Sequence, residues 1–328
     1  MGERVSRAGR LIAVAGGKGG VGKSVVSLNL AITLGRLGYR TTLVDGDLGA
    51  PNLHTMLNIT RPGPGLGGFL DHESAALPDV ALAVDVPNLT LVPGSARVGS
   101  ANINAGQKLR LLRAIARLGG DVVIVDVGAG TAWNTIDLVA AADLKLIVMT
   151  PQLTSIQNAY AFLKAMVQRV VRKLPEEAAV RRELDARFTG DGETRPVQAV
   201  IADLRERDPV LAERLVDVLN RLGVMLVGNM LSGPRDAAVF ERMAAMIADY
   251  LMVRAPVVAT LPLTEAVRRS IDTRQPVATV RGQAETQTEL RRLARTVLDV
   301  DIGALRTAGR AGMPQRTLPI WIDGDLRV

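Results

Sequence analysis

A chain of 328 residues with 48% hydrophobic content carries enough apolar side chain for one large α/β core. It contains no cysteine, which excludes disulfides, thiolate metal sites and iron–sulfur clusters. The formal charge is +7 and only six of the 40 basic residues are lysines, so scattered arginine supplies a general attraction to nucleic acid or anionic lipid, while 3% aromatic content offers no base-stacking platform. No apolar run approaches the roughly 20 residues of a spanning helix, and no signal peptide is recognisable, so a cytoplasmic chain is expected.

In chain order, the first element is the run LIAVA at 11–15, which is short, β-branched and small, and ends on glycines as a buried parallel strand does. Gly17-x4-Gly22-Lys23-Ser24 then fits the phosphate-binding pattern G-x-x-x-x-G-K-[ST]. Glycines without Cβ let successive amides turn inward as an anion nest, and the following helix N-terminus adds its dipole. The expected nucleotide-binding set is Gly17, Gly19, Gly20, Val21, Gly22, Lys23, Ser24 and Val25, with Lys23 reaching the β- and γ-phosphates and the Ser24 hydroxyl as a Mg²⁺ ligand.

A helix is predicted over 25–37, with Leu28, Ile32 and Leu34 on its apolar face and Gly38 as its stop. The strand at 40–44 ends in Asp45-Gly46-Asp47, placing two carboxylates at a strand's carboxyl end beside the phosphate loop. Residues 58–79 are rich in glycine and proline, and His54 and His72 read as solvated loop residues, because no second ligating side chain recurs at a suitable spacing. A short strand at 89–92 precedes an amphipathic helix at 107–118 with Leu109, Leu112, Ile115 and Ala116 on one face. The uninterrupted apolar strand at 121–126 delivers Asp126 at its tip, an acid placed to hold Mg²⁺ through water, and the amide of Gly128 can approach a γ-phosphate because nothing projects from its α-carbon. Further on, Thr154 reads as the cap of a helix running to about Lys173, and the strand at 224–230 ends in Asn229. The helix at 284–298 sets Leu290, Leu293, Ala294 and Val297 against Arg291, Arg292 and Arg295. It lacks the bulky exposed apolar face that membrane docking needs, and is read as packed on the sheet.

Lys18 makes the loop distinctive. The order Lys18-Gly19-Gly20-x-Gly22-Lys23-Ser24 resembles the deviant Walker A box of the MinD/ParA superfamily, in which the extra lysine reaches across a nucleotide-sandwich dimer to the partner's phosphates. By that resemblance Asp45-Gly46-Asp47 is the D-x-D switch, with Asp47 orienting the attacking water and Asp45 supporting the Mg²⁺ shell, so that Lys18, Lys23 and Asp47 form the catalytic set and Ser24, Asp45 and Asp126 the metal set. The form Asp126-Val127-Gly128-Ala129-Gly130, and the run that begins Val148-Met149-Thr150-Pro151-Gln152, look closer to the FlhG branch, the regulators of flagellar number, than to the MinD branch. The resemblance also implies that Asn229 hydrogen-bonds the adenine base and that Pro262 belongs to the nucleotide site, although Thr264 stands where the family usually has an acid, with Glu265 beside it.

The implied fold is a doubly wound, mostly parallel α/β sheet with helices on both faces. It is assigned to residues 11–300, with 1–10 as an N-terminal extension and 301–328 as a C-terminal tail that Ile320 and Trp321 could dock. Residues 175–222 depart from the family as an inserted helical element, in which Asp208-Pro209 is a cap with a first-turn proline and Leu211, Leu215, Val218, Leu219 and Leu222 recur at helical spacing. The implied function is that of a Mg²⁺-dependent ATPase that forms a homodimer on binding ATP, recruits a protein partner or activator, and acts in spatial regulation in a bacterial cell, either in the cytoplasm or recruited to membrane or pole. A ParA-like positioner that binds DNA, and a metabolic P-loop enzyme that phosphorylates a small molecule, remain as alternatives.

Overall fold

A computed structural model describes residues 9–95, 103–173, 182, 184, 186, 195–280 and 282–307. Its strands are β1 (Arg10–Ala15), β2 (Thr41–Gly46), β3 (Leu82–Ala83), β4 (Leu89–Val92), β5 (Val122–Val127), β6 (Leu144–Met149), β7 (Val224–Leu231) and β8 (Val257–Pro262). They form one sheet in the order β3-β4-β2-β5-β1-β6-β7-β8, parallel throughout except for the antiparallel pair β3 and β4. Every residue of β2, β5 and β6 is buried, as central strands covered on both faces require. The period of two then divides the core. Ala13, Val123, Val125 and Ile147 belong to one apolar cluster, and Ile12, Val14, Ile124 and Leu146 to the other.

The helices are α1 (Lys23–Arg36), α2 (Leu53–Met56), α3 (Gly65–Leu70), α4 (Ala105–Ala116), α5 (Trp133–Ala140), α6 (Leu153–Lys173), α7 (Val197–Arg207), α8 (Pro209–Asn220), α9 (Pro234–Leu251), α10 (Glu265–Asp272), α11 (Ala284–Asp299) and α12 (Ile302–Thr307). Helices α1 and α11 cover one face of the sheet, and α4 to α9 cover the other. The expected doubly wound fold is what the chain adopts. Because β5 lies between β2 and β1, the chain leaves β1 in one direction and β6 in the other, and the crevice at their carboxyl ends is where such sheets bind ligands.

Several local expectations shift. Helix α1 starts at Lys23, two residues early, and buries Val26 and Leu30 as well as the predicted face, because α11 covers its outer side. Strand β2 runs on through Asp45 and Gly46, so Asp45 is fully buried within it. The glycine-rich stretch 58–79 contains α3, buried along its whole length. A Cβ at Gly65 would lie 2.5 Å from the Pro93 carbonyl oxygen, so glycine there permits close packing. In α4 the fully buried residues are Leu111, Leu112 and Ile115, while the predicted Leu109 and Ala116 are half-buried, and Asn104 and Gln107 close a reciprocal capping box. Thr154 is exposed inside α6, and it is the Ser155 hydroxyl that accepts a hydrogen bond from the Thr150 amide at 3.0 Å.

Asp208 caps α8 as its spacing predicts, accepting from the Leu211 amide at 2.9 Å, and Leu215 and Leu219 enter the same core as α6 and α9. Leu290, Leu293, Ala294 and Val297 of α11 are buried as expected. The segment after 301 includes α12, which Arg306 ties beneath the sheet by a two-pronged pair with Asp143, at 2.7 Å on each oxygen. The expected N-terminal extension before Gly9, most of 174–194, and the tail from 308 onward, with Ile320 and Trp321, lie outside the described residues.

Candidate functional site

The loop between β1 and α1 is crowded at both ends and open in the middle. A Cβ at Gly17 would lie 1.9 Å from the Asn158 carbonyl oxygen of α6, so only glycine lets the loop enter against that helix backbone. At the exit, Gly22 has φ of 89° and a Cβ there would fall 2.2 Å from the Asn229 amide nitrogen. Between them, a Cβ at Gly19 or Gly20 would meet nothing within 4 Å, and Lys18 is exposed. Lys23 turns the other way. It is 8% exposed, its Nζ lies 3.4 Å from the Lys18 carbonyl oxygen, and burial lowers its pKa, with Asp126 and Asp47 partly restoring it. Val21 is buried, whereas Ser24 and Val25, in the first turn of α1, are half-buried.

The acids gather at the neighbouring strand ends. Asp45 and Asp126 are register partners on the adjacent parallel strands β2 and β5, so their side chains leave the same face of the sheet. Burial raises the Asp126 pKa to about 6, against the Ser24 and Ser27 hydroxyls and Lys23, which favour its charge. The Ser27 hydroxyl donates to Asp126 Oδ1 at 2.8 Å. Burial likewise raises Asp45 to about 7. The Leu53 and Asn52 amides, each 3.0 Å from its Oδ2, oppose the shift, and the Asp126 charge reinforces it. Asp45 Oδ1 is buried with no hydrogen-bond partner.

A cation fits this arrangement. Mg²⁺ takes one or two protein carboxylates and completes its shell with water and substrate phosphate. Ser24, Asp126 and the orphaned oxygen of Asp45 are the oxygens that could hold such an ion. Asp47 stands at the rim, half-buried, its Oδ1 accepting from the Gly49 and Ala50 amides at 3.1 and 3.0 Å. A Cβ at Gly128 would lie 3.0 Å from that oxygen, so the glycine at the tip of β5 leaves room for the Asp47 carboxylate.

Other expected residues sit differently. Asn229 is buried, and its Nδ2 donates to the Val21 carbonyl oxygen at 2.9 Å. Pro262 ends β8 beside Leu231 of β7. Thr264 is the N-cap of α10, its hydroxyl accepting from the Val267 amide at 3.2 Å, and Glu265 follows in the first turn. His54 is half-buried on α2 with its Nδ1 enclosed and unpartnered, where a solvated side chain was expected. The Asp45 bonds to the start of that helix draw it inward, while His72 is exposed as predicted. Sequence reasoning missed Ser27, whose signal was a polar residue one helical turn beyond Lys23, on the same side of the helix. It also missed the approach of α6 to Gly17, which no local pattern announces.

The sequence model of the CobQ/CobB/MinD/ParA nucleotide-binding domain matches residues 12–277. The chain is 36% identical over 160 residues to the antiactivator FleN of Pseudomonas aeruginosa, covering 48% of this chain and 56% of that one. It is 33% identical over 159 residues to the flagellum site-determining protein YlxH of Helicobacter pylori, covering 47% and 53%. The chain thus spans about half the length of the curated relatives it matches. The septum site-determining protein MinD of Pyrococcus horikoshii, solved with Mg-ADP, shares the fold at a TM-score of 0.58 and 17% identity, over 88% of this chain and 96% of that one.

Proposed function

We propose that this chain, which belongs to the CobQ/CobB/MinD/ParA nucleotide-binding family, is a Mg²⁺-dependent ATPase that works as an ATP-driven dimerisation switch. The observation that carries the reading is the division of labour between the two loop lysines. Lys23 is buried against its own loop, while Lys18 stands exposed on an arc where a Cβ at Gly19 or Gly20 would meet nothing within 4 Å, free to reach phosphates held by a second copy. In this reading the loop amides and Lys23 hold the β- and γ-phosphates, and Ser24, Asp126 and Asp45 hold Mg²⁺. When bound, Mg²⁺ there would neutralise charge on the phosphate oxygens. Asp47 positions a water beside Gly128 for in-line attack on the γ-phosphorus. As the new P–O bond forms, the bond to the β–γ bridging oxygen breaks, ADP leaves with that electron pair and the water's proton passes to the released phosphate or to solvent, with Lys18 and Lys23 stabilising the charge that develops.

ATP binds the dimer better than the monomer in such a cycle, so partners that read the dimer are recruited by ATP and released by hydrolysis. The resemblance to FleN and YlxH supports a task in spatial regulation in a bacterial cell, in the placement or number of flagella or of another polar machine. The proposed location is the cytoplasm with recruitment to membrane or pole. Among the described residues no helix is long and apolar enough to cross a membrane. The ATPase domain is taken as residues 11–300, with the helical element within 175–222 as this chain's own addition.

The test is the light-scattering mass of Asp47→Ala protein with ADP and then with ATP and Mg²⁺, with Lys18→Ala as control. A monomer that becomes a dimer only with ATP, and only while Lys18 is intact, is the expected result. A mass indifferent to nucleotide overturns the switch and favours phosphorylation of a small molecule. A second reading, a ParA-like DNA positioner, draws on exposed Arg268, Arg269 and Arg274 in and just after α10, and requires DNA binding that depends on ATP and weakens with salt.

A further inference from the structure

We propose that Asn229 is a positioning residue for the phosphate-binding loop, aimed there by a left-handed residue, Met230, at the end of β7. The inference rests on the reading that this loop holds nucleotide phosphates. Asn229 is buried and its Nδ2 donates to the Val21 carbonyl oxygen at 2.9 Å, across 208 residues of sequence. The carbonyl of Val21 and the amide of Gly22 belong to one planar trans peptide, in which C=O and N–H point in opposite directions. Drawing that carbonyl down toward β7 therefore turns the Gly22 N–H the other way, toward the concave side of the loop where an anion would sit.

The tip of β7 is built for this contact. Successive side chains of a regular strand leave opposite faces of the sheet, so Asn229 and Met230 should diverge. Yet a Cβ at Gly22 would lie 2.2 Å from Asn229 Nδ2 and 3.6 Å from Met230 Cε, so both side chains reach the same point on the loop. Met230 has φ of 58°, a region that side chains other than Asn, Asp and His seldom enter, and the pairing of β7 with β8 slips between Gly228 and Leu231. The irregular backbone breaks the alternation and turns both residues onto Gly22, where φ of 89° and the approach of Asn229 both demand glycine.

A positioning role and a base-reading role differ in what they do to a ligand without a base. Calorimetric titration of the full chain with ATP and with inorganic tripolyphosphate, each with Mg²⁺, is compared among wild type, Asn229→Ala and Asn229→Asp. Positioning predicts that both variants lose affinity for both ligands by the same factor, about tenfold for one buried hydrogen bond. Weakened ATP with unchanged tripolyphosphate, or no change in either, overturns the proposal, as does a wild type that binds ATP but not tripolyphosphate.

A wild type that binds neither ligand instead removes the nucleotide reading itself. Met230 supplies an independent arm if the Asn229 variants fail to fold. Met230→Gly keeps the left-handed backbone and is expected to retain binding of both ligands, whereas β-branched Met230→Val opposes that backbone and is expected to weaken both. Equal affinities in those two variants overturn the role of the left-handed residue.

Discussion

Strand β5 has an aspartate at each end, and the two behave in opposite ways. Asp121, just before its first residue, accepts from the Arg40 amide at 2.8 Å and from the Arg40 guanidinium at 3.1 Å, and the side-chain bond, followed by the backbone one, holds its pKa below the usual carboxylate range. Asp143, just before β6, is as well provided for. It accepts from the Leu11 amide at 2.8 Å and from both prongs of Arg306. At the carboxyl edge, Asp126 and Asp45 are buried side by side, both have raised pKa values, and one oxygen of Asp45 has no partner. Satisfied acids at the amino edge tie the chain together. At the carboxyl edge burial disfavours both charges, and the orphaned oxygen of Asp45 costs the ligand-free fold stability, as the proposed cation site requires of a ligand waiting for its ion.

The contrast is broken most severely by Asp126→Asn. Mg²⁺-dependent phosphate release should fall by about 10²-fold or more, while the ligand-free protein melts no lower than wild type, because a buried carboxylate has been replaced by a neutral isostere. A melting temperature several degrees lower would mean that Asp126 is as structural as its counterpart at the other end of the strand.

At the amino edge the prediction reverses. Asp143→Ala leaves the Leu11 amide and the Arg306 guanidinium without their acceptor, and should cost about 2–3 kcal/mol in urea unfolding with ATP turnover per folded molecule unchanged. Lost turnover in a stably folded variant would link the two edges and undo the distinction.

The mildest probe is pH. In the folded, ligand-free chain Asp45 is raised to about 7 and Asp126 to about 6, above the roughly 3.9 of an unfolded aspartate. Groups raised on folding stabilise fully below the unfolded pKa, and that contribution is lost as pH rises through the folded values. Asp121 has the opposite sign, its contribution being present above the unfolded pKa and lost on acidification. The melting temperature of Asp45→Asn should therefore gain on that of wild type as pH is raised from about 5 to about 8, and saturating Mg²⁺-ATP should narrow the gap. A constant difference across that range would show that Asp45 is ionised throughout.

The loop and its acids were legible because their chemistry is local. The glycine spacing, Lys23-Ser24, and an apolar run ending in Asp126 each occupy one short stretch with its own steric or electrostatic reason. The α11 face was legible for the same reason, its period matching the helix. Helix α3 was hidden because Gly-Leu-Gly-Gly has poor helix propensity, overridden here by burial against Pro93 and its neighbours. The cap on α10 was readable in Thr264-Glu265 but was obscured by the acid expected at that position.

The sequence by itself determined which groups can meet a phosphate and a cation, and that strands and helices alternate around one sheet, since both follow from spacing and composition along the chain. Only the tertiary structure decided what each group is free to do there. The Asn229 amide meets the Val21 carbonyl because an irregular β7 carries it across 208 residues of sequence. Asp45 is incomplete because β2 runs one residue past it into the core, and Lys18 stands apart from Lys23 because α6 and β7 clamp only the ends of the loop. Burial and partner count belong to the surroundings a residue is folded into, and those are assembled from segments that share no neighbourhood in sequence.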